Sequence, residues 1–239
     1  QFGDQNSAEA LQRLPGVTIE RDEGEGRTVS IRGLPSDFTQ VTVNGARIGT
    51  SEAGSSTAAL DVIPSDLLGS IEVSKTYTPD MDGDTIGGAV ELKSLSAYDS
   101  RDDVTTVRLE GAMGEYAKKI GPKASLSLAR KFADDTLGVA FTASYAKRFI
   151  EGDDLRNEDG FQLRTVGTEA FLYPREVNQR FEVGDRSRYG GTANIEYRPT
   201  DSQEYFIRAS ATRLEDNDIR IQSQWQTERA VNAEVQEIT

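Results

Sequence analysis

"PDMDGDTIGGAVELK", residues 79–93, carries Asp80, Asp82 and Asp84 in alternation, with Glu91 at the twelfth position counted from Asp80. That is the ligand spacing of a helix–loop–helix calcium site, with one departure. The sixth position of such a loop needs a positive φ angle, and here it holds Thr85, whose branched Cβ resists that conformation. The flanks decide between the readings. Before the loop, "SIEVSKTY" alternates apolar and polar residues with Ile71 and Val73 on one side. After it, "GAVELKS" does the same with Val90 and Leu92. Period-two alternation means strands, whereas the calcium site needs a helix on each side. The stretch therefore reads as strand, acidic turn, strand, and no metal site is expected in it. Calcium titration should show no binding tighter than about millimolar. Micromolar binding abolished by Asp82→Ala would overturn this reading.

Working outward, the first 95 residues form short elements broken by Gly, Pro and Asn-Gly. "SAEALQRL" places Ser7 as a cap before Ala8, Leu11 and Leu14, a short amphipathic helix. "RTVSIRG" alternates through Val29 and Ile31. "QVTVNGARI" is a hairpin signal, because Asn44-Gly45 supplies the positive φ angles of a type I′ turn. "VIPSDLLGSIEV" predicts a single helical turn at 64–68 followed by a strand. This is a small α+β unit.

From about Val104 the alternating segments lengthen. "VTTVRLEGAM", "KASLSLARKF", "TLGVAFTASYAKRF", "RYGGTANIEY" and "EYFIRASATR" each approach the roughly ten residues that a tilted strand needs to cross a bilayer. "ADD" after Phe132 and "RPTDSQ" after Tyr197 are tight turns, while a long charged connection runs over about 150–187. Short and long connections alternate, as in a transmembrane barrel, and Phe132, Tyr197 and Tyr205 stand beside the short ones, where an interfacial aromatic girdle belongs. A soluble antiparallel sandwich also alternates and is the competing reading.

Composition sets limits. Of 239 residues 36% are apolar, and no run approaches the eighteen of a membrane helix, which leaves a barrel open. A net charge of −13 without a basic cluster excludes nucleic acid as a partner. The absence of Cys and His removes thiol redox chemistry, His- or Cys-ligated zinc and His-based nucleophilic triads from this chain. Carboxylate pairs leave glycosidase chemistry formally open as a third, remote reading.

"LQRLPGV", "VSIRGL", "VTVNGARI", "DVIPSDLLGSIEVSKT" and "TIGGAVELKS", in this order and spacing, resemble the plug domain of a TonB-dependent outer-membrane receptor. "GEGRTVSIRGL" and "PDMDGDTIGG" further resemble the proteobacterial branch that includes carbohydrate receptors. The resemblance implies an α+β plug domain over 1–95, followed over 96–239 by the first strands of an antiparallel transmembrane β-barrel, with 150–187 as an extracellular loop. It implies active import of a ligand, an oligosaccharide, a siderophore or similar, across the bacterial outer membrane, with the plug gating the barrel. The partners would be TonB with its inner-membrane energising complex, the ligand and outer-membrane lipid. TonB would engage a segment, the TonB box, that is not in this chain. About 22 strands close such a barrel, so the working molecule is expected to contain more chain. No cofactor, catalytic residue or enzyme activity is implied. A receptor used mainly for signalling, or a soluble β-rich adhesion module, are the alternatives. Arg32 resembles the plug arginine that pairs with acidic residues of the inner wall, and Lys75 stands where many members carry Arg. Phe38, Ser51 and Glu52 would sit on plug apices and Phe161, Phe171 and Tyr173 in the long loop, all as ligand-contact candidates.

Overall fold

The computed structural model describes residues 6–22, 24–48, 57–76, 86–166, 168–200 and 202–226. Its first helix, α1 (Ser7–Leu11), is capped by Asn6 and not by the expected Ser7: Asn6 Oδ1 accepts the Glu9 N–H at 3.0 Å. Ser7 enters the first turn, and its hydroxyl donates to the Leu60 carbonyl at 3.1 Å. Asn and Ser cap about equally well, so a tertiary partner, which local sequence does not show, settles the choice. Strands β1 (Val17–Asp22) and β2 (Glu25–Ile31) pair antiparallel with Val17 opposite Ile31. The expected hairpin follows as β3 (Thr39–Val43) and β4 (Ala46–Arg47), joined by Asn44 at φ 50 and Gly45 at φ 80. Pro64 then opens a 3-10 turn (Ser65–Leu67) that leads into β5 (Leu68–Ser74).

β5 pairs antiparallel with β6 (Gly88–Ser94), so strands do flank the acidic stretch; the turn itself, with Asp80, Asp82, Asp84 and Thr85, lies outside the described residues. β6 also runs parallel to β3, giving the order β4-β3-β6-β5. Leu11, Val29, Ile31, Leu60, Val90 and Leu92 are buried together between α1, the β1–β2 pair and this sheet. Each such side chain contributes about 1.5–3 kcal/mol over its exposed state, which makes this the apolar core of the N-terminal unit.

The long strands are β7 (Val104–Met113), β8 (Ile120–Phe132), β9 (Leu137–Asn157), β12 (Glu176–Thr200) and β13 (Gln203–Gln226), hydrogen-bonded in the order β13-β12-β9-β8-β7. Between β9 and β12, β10 (Phe161–Val166) and β11 (Glu169–Pro174) make a separate hairpin. The segment 150–187, expected as a loop, is thus mostly strand. Backbone pairing continues through "EGDDLRN" because a ladder needs neighbouring N–H and C=O groups, not apolar side chains, and reading by apolar alternation misses such charged extensions. The β8–β9 turn is tight, as expected: Ala133, Asp134 and Asp135 all have positive φ, and the Thr136 N–H closes on the Ala133 carbonyl at 3.1 Å.

Burial along these strands is inverted relative to a water-soluble sheet. In β9, Gly138, Ala140 and Thr142 are buried while Phe141 is 41% exposed. In β12, Thr192, Asn194 and Glu196 are buried, whereas Ile195 and Tyr197 are each 48% exposed. Small and polar residues face inward and large apolar ones outward. A sheet in water would reverse this; one with lipid outside would not.

The chain divides into two compact units. Gln1–Ala112, Ile120–Arg148 and Arg186–Glu215 form the first, and Met113–Lys119, Phe149–Asp185 and Asp216–Thr239 the second. Within the second, Arg220 pairs with Glu182 at 2.9 Å, Arg180 with Glu158, and Arg156 with Asp154 at 2.7 Å. Charges there are paired across strands as well as along them.

Candidate functional site

The inward face of the long strands meets the N-terminal unit along a buried polar seam. At one place on it, Glu25, the first residue of β2, reaches three arginines of the strand wall. Arg188 engages both of its oxygens: Nη1 donates to Oε1 at 3.1 Å, and Nη2 donates to Oε2. Arg148 Nη1 lies 2.9 Å from Oε1, and Arg186 Nη1 donates to Oε2 at 2.9 Å. Each carboxylate oxygen thus receives two charge-assisted bonds, stronger than neutral ones. Arg188 Nε donates in addition to the Asp61 carbonyl at 2.7 Å, which fixes the guanidinium plane. Glu25 and Arg188 are each 1% exposed. Burial pushes the Glu25 carboxyl upward, but the Arg188 and Arg148 guanidiniums outweigh it and hold the group at about 2, from an ordinary 4.5. Asp61, also buried, moves the other way. Burial raises it, Arg27, Arg188 and Arg186 counter only in part, and the Glu25 charge adds to the rise.

A second contact is made by Asp66, in the 3-10 turn after Pro64, which faces Arg108 Nη1 at 2.9 Å and Lys123 Nζ at 2.8 Å. A third follows the end of β6. Asn194 Nδ2 donates to Ser94 Oγ at 2.8 Å and to the Leu95 carbonyl at 2.6 Å. The Ser96 hydroxyl donates to Glu196, whose other oxygen takes Arg208 Nη2 at 2.8 Å. Tyr98 then ties the connecting segment to the short turns: its hydroxyl donates to the Asp135 carbonyl at 3.0 Å, and Arg198 stacks 3.8 Å over its ring. Glycines let the surfaces approach. A Cβ on Gly138 would lie 2.6 Å from the Tyr98 ring, and one on Gly190 2.6 Å from Leu67.

The residues expected to matter lie elsewhere. Arg32 is exposed, in the left-handed region at φ 58, with its N–H donating to the Gly16 carbonyl at 2.9 Å. Lys75 is half-buried and donates to the Pro15 carbonyl of its own unit. Neither sits in the seam with these wall strands, where acids on the N-terminal unit meet cations on the wall. Phe38 is exposed at the end of the 3-10 turn Ser36–Phe38, and Ser51 and Glu52 lie outside the described residues. In the β10–β11 hairpin, Leu163 opposes Leu172 and Arg164 opposes Phe171. Phe171 and Tyr173 therefore share one face, and Phe161 points to the other. The Tyr173 hydroxyl donates to Gln162 Oε1 at 3.2 Å. The three aromatics form no single platform. The signal for the wall cations was present in "RSR", two arginines at strand spacing among small inward residues, but their partner lies more than 160 positions away.

Residues 1–89 match the family model of the TonB-dependent receptor plug domain. The N-terminal part of the chain is thus a TonB-dependent receptor plug domain. The ferric enterobactin receptor PfeA of Pseudomonas aeruginosa, solved with enterobactin, aligns over 89% of this chain and 39% of its own, at TM-score 0.52 and 13% identity. The ferric citrate transporter FecA in its unliganded form aligns over 90% and 38%, at TM-score 0.50 and 14% identity. These likenesses show the fold: a plug followed by antiparallel barrel strands. In sequence the chain is similar to the vitamin B12 transporter BtuB of Photobacterium profundum, 28% identical over 214 residues. That match covers 85% of this chain and 34% of the relative. The BtuB of Vibrio vulnificus is 37% identical over 90 residues, 36% of this chain and 14% of the relative. The chain thus spans about a third of the length of the Photobacterium profundum relative.

Proposed function

We propose that this chain is the plug and the first wall strands of an importer in the bacterial outer membrane. A small-molecule ligand binds at the outer face, and TonB, energised from the inner membrane, displaces the plug. In this reading the plug runs over 1–95 and the wall over 96–239, and the outer end of the wall strands with the β10–β11 hairpin lies outside the cell. The protein is not an enzyme. The observation that carries this reading is the seam. Plug and wall meet through Glu25, Asp66, Ser94 and Ser96 on one side and through Arg148, Arg188, Lys123, Asn194 and Glu196 on the other. A polar seam can be re-solvated when it opens, whereas an apolar one would expose hydrophobic surface to a water-filled lumen. The outward Phe141, Ile195 and Tyr197 weigh against a soluble adhesion module and for a lipid-facing wall. The ligand classes of similar proteins, vitamin B12 and ferric chelates, mark the range in which this ligand should be sought, with oligosaccharides beside them.

The test uses the full-length receptor in cells with and without TonB. Ligand-dependent growth on a panel of carbon and iron sources should need both the receptor and TonB. Topology is read separately by single cysteines. A cysteine at Thr168, in the β10–β11 turn, should react with an impermeant maleimide on intact cells. Cysteines at Asp134 and Ser202, in the short turns, should react only after the outer membrane is broken. Reversed accessibility would move the ligand face to the other end of the strands.

A further inference from the structure

We propose that Arg148, Arg186 and Arg188 form an anion-binding site on the inner wall, which Glu25 fills as a built-in ligand while the plug is seated and which a carboxylate or phosphate group of a passing solute takes when the plug moves. The inference rests on the plug moving relative to the wall, as proposed above. Three features carry it. First, the geometry is that of a ligand cradle. Arg188 holds both oxygens of one carboxylate in its fork, and Arg148 and Arg186 add one bond to each oxygen. A planar fork of this kind fits carboxylate and phosphate oxygens, and lysines could not reproduce it. Second, the cradle is held by the wall and its anion by the plug. Arg148 lies on β9 and Arg186 and Arg188 on the neighbouring β12, whereas Glu25 and Asp61 leave with the plug. Three guanidiniums on adjacent strands, two of them at most 5% exposed, repel one another once the carboxylate has gone. An incoming anion removes that cost, and by reciprocity it favours the displaced plug. Third, the position suits a solute on its way in. Arg188 lies about a dozen residues from the short turn that follows β12, just past the roughly nine to eleven that a tilted strand uses to cross. The side chains point inward, away from lipid, so a soluble anion and not a lipid headgroup reaches them.

The test is a calorimetric titration of the purified full-length receptor in detergent with sodium sulfate, against sodium chloride at matched ionic strength. Wild type, whose cradle is occupied, should show no sulfate-specific heat. Glu25→Gln, which removes the internal anion and keeps the volume, should bind one sulfate at least tenfold more tightly than wild type. Adding Arg188→Gln to that variant should abolish the binding. If Glu25→Gln does not assemble, Glu25→Gln with Arg186→Gln relieves part of the repulsion and carries the same titration, with weaker binding expected. Absence of sulfate-specific binding in whichever variant assembles, or binding that survives Arg188→Gln, overturns the proposal. The outcome is independent of TonB, so a failure here is distinguishable from a failure of the importer reading, which the uptake assay tests.

Discussion

Glu25→Gln in the full-length receptor is expected to unseat the β1–β2 hairpin of the plug and to raise passive entry of large antibiotics such as vancomycin. The partners exchanged are unequal. The wild-type carboxylate satisfies three guanidiniums at once, with four hydrogen bonds. An amide offers one acceptor oxygen and turns an NH2 group towards cations. Removing one partner of a buried ion pair typically costs about 3–5 kcal/mol, most of it from the charge left behind. On that scale the unseated population rises on the order of 10²–10⁴-fold. Vancomycin sensitivity and protease cleavage within residues 6–31 should increase together, with the receptor still present at normal level in the outer membrane. Unchanged sensitivity and unchanged cleavage would show that the seam holds without this contact.

The same group sets an acid limit. The Glu25 carboxyl is depressed in the seated state, to about 2 from 4.5. Its contribution is therefore fully present above about pH 4.5 and is lost as pH falls through about 2. The shift corresponds to about 3 kcal/mol. Asp61 works against this, since its raised carboxyl takes up a proton in the seated state and relieves repulsion from Glu25. The net loss on acidification is smaller than the Glu25 contribution alone, but the window is that of Glu25. Pepsin, active over this range, should cut the plug increasingly between pH 4.5 and 2 in wild type. In Glu25→Gln the pH dependence should flatten.

Much of this architecture was legible because it is local. Asn44-Gly45 announces its turn through backbone chemistry alone, and β7 begins and ends where its alternation does. The alternation on either side of the acidic stretch predicts two strands, and β5 and β6 are those strands. What was not legible is tertiary. Asn6 takes the capping role from Ser7 because Ser7 finds Leu60, more than fifty residues on. The charged ends of β9 and β12 are strands because they have neighbours to pair with, which composition hides. The clamp is the extreme case. Glu25 in "EGEGR" looks like any acidic turn residue until the chain returns with Arg186 and Arg188 from the other side of the fold. Pattern reading finds faces, whereas ion pairs across 160 residues need coordinates.

Two adjacent glycines of β12 should respond to the same substitution in opposite ways, and the difference measures how closely plug and wall are fitted. Gly190 faces inward: a Cβ there would lie 2.6 Å from Leu67 Cδ1 and 3.1 Å from Pro64 Cγ. Leu67 is itself buried to 2% exposure, beside the turn that carries Asp66 to Arg108 and Lys123, so it has little room to withdraw. Gly191 points to the other face, where the nearest atom to a Cβ is the Thr142 carbonyl oxygen at 3.6 Å, an ordinary contact. Neither glycine has a positive φ, so backbone strain does not enter the comparison. Gly190→Val should therefore cost the seated plug about 1–3 kcal/mol through overpacking, and the loss should be larger if the Asp66 contacts are dragged out of register. Gly191→Val should be close to neutral, because a strand accepts a branched side chain well on a face turned to lipid. Protease resistance of the plug in the purified full-length receptor gives the readout, with Gly191→Val as the control for expression and assembly. Equal resistance in the two variants would mean that Leu67 yields readily and that the seam is held by its ion pairs, without close steric fit at this point.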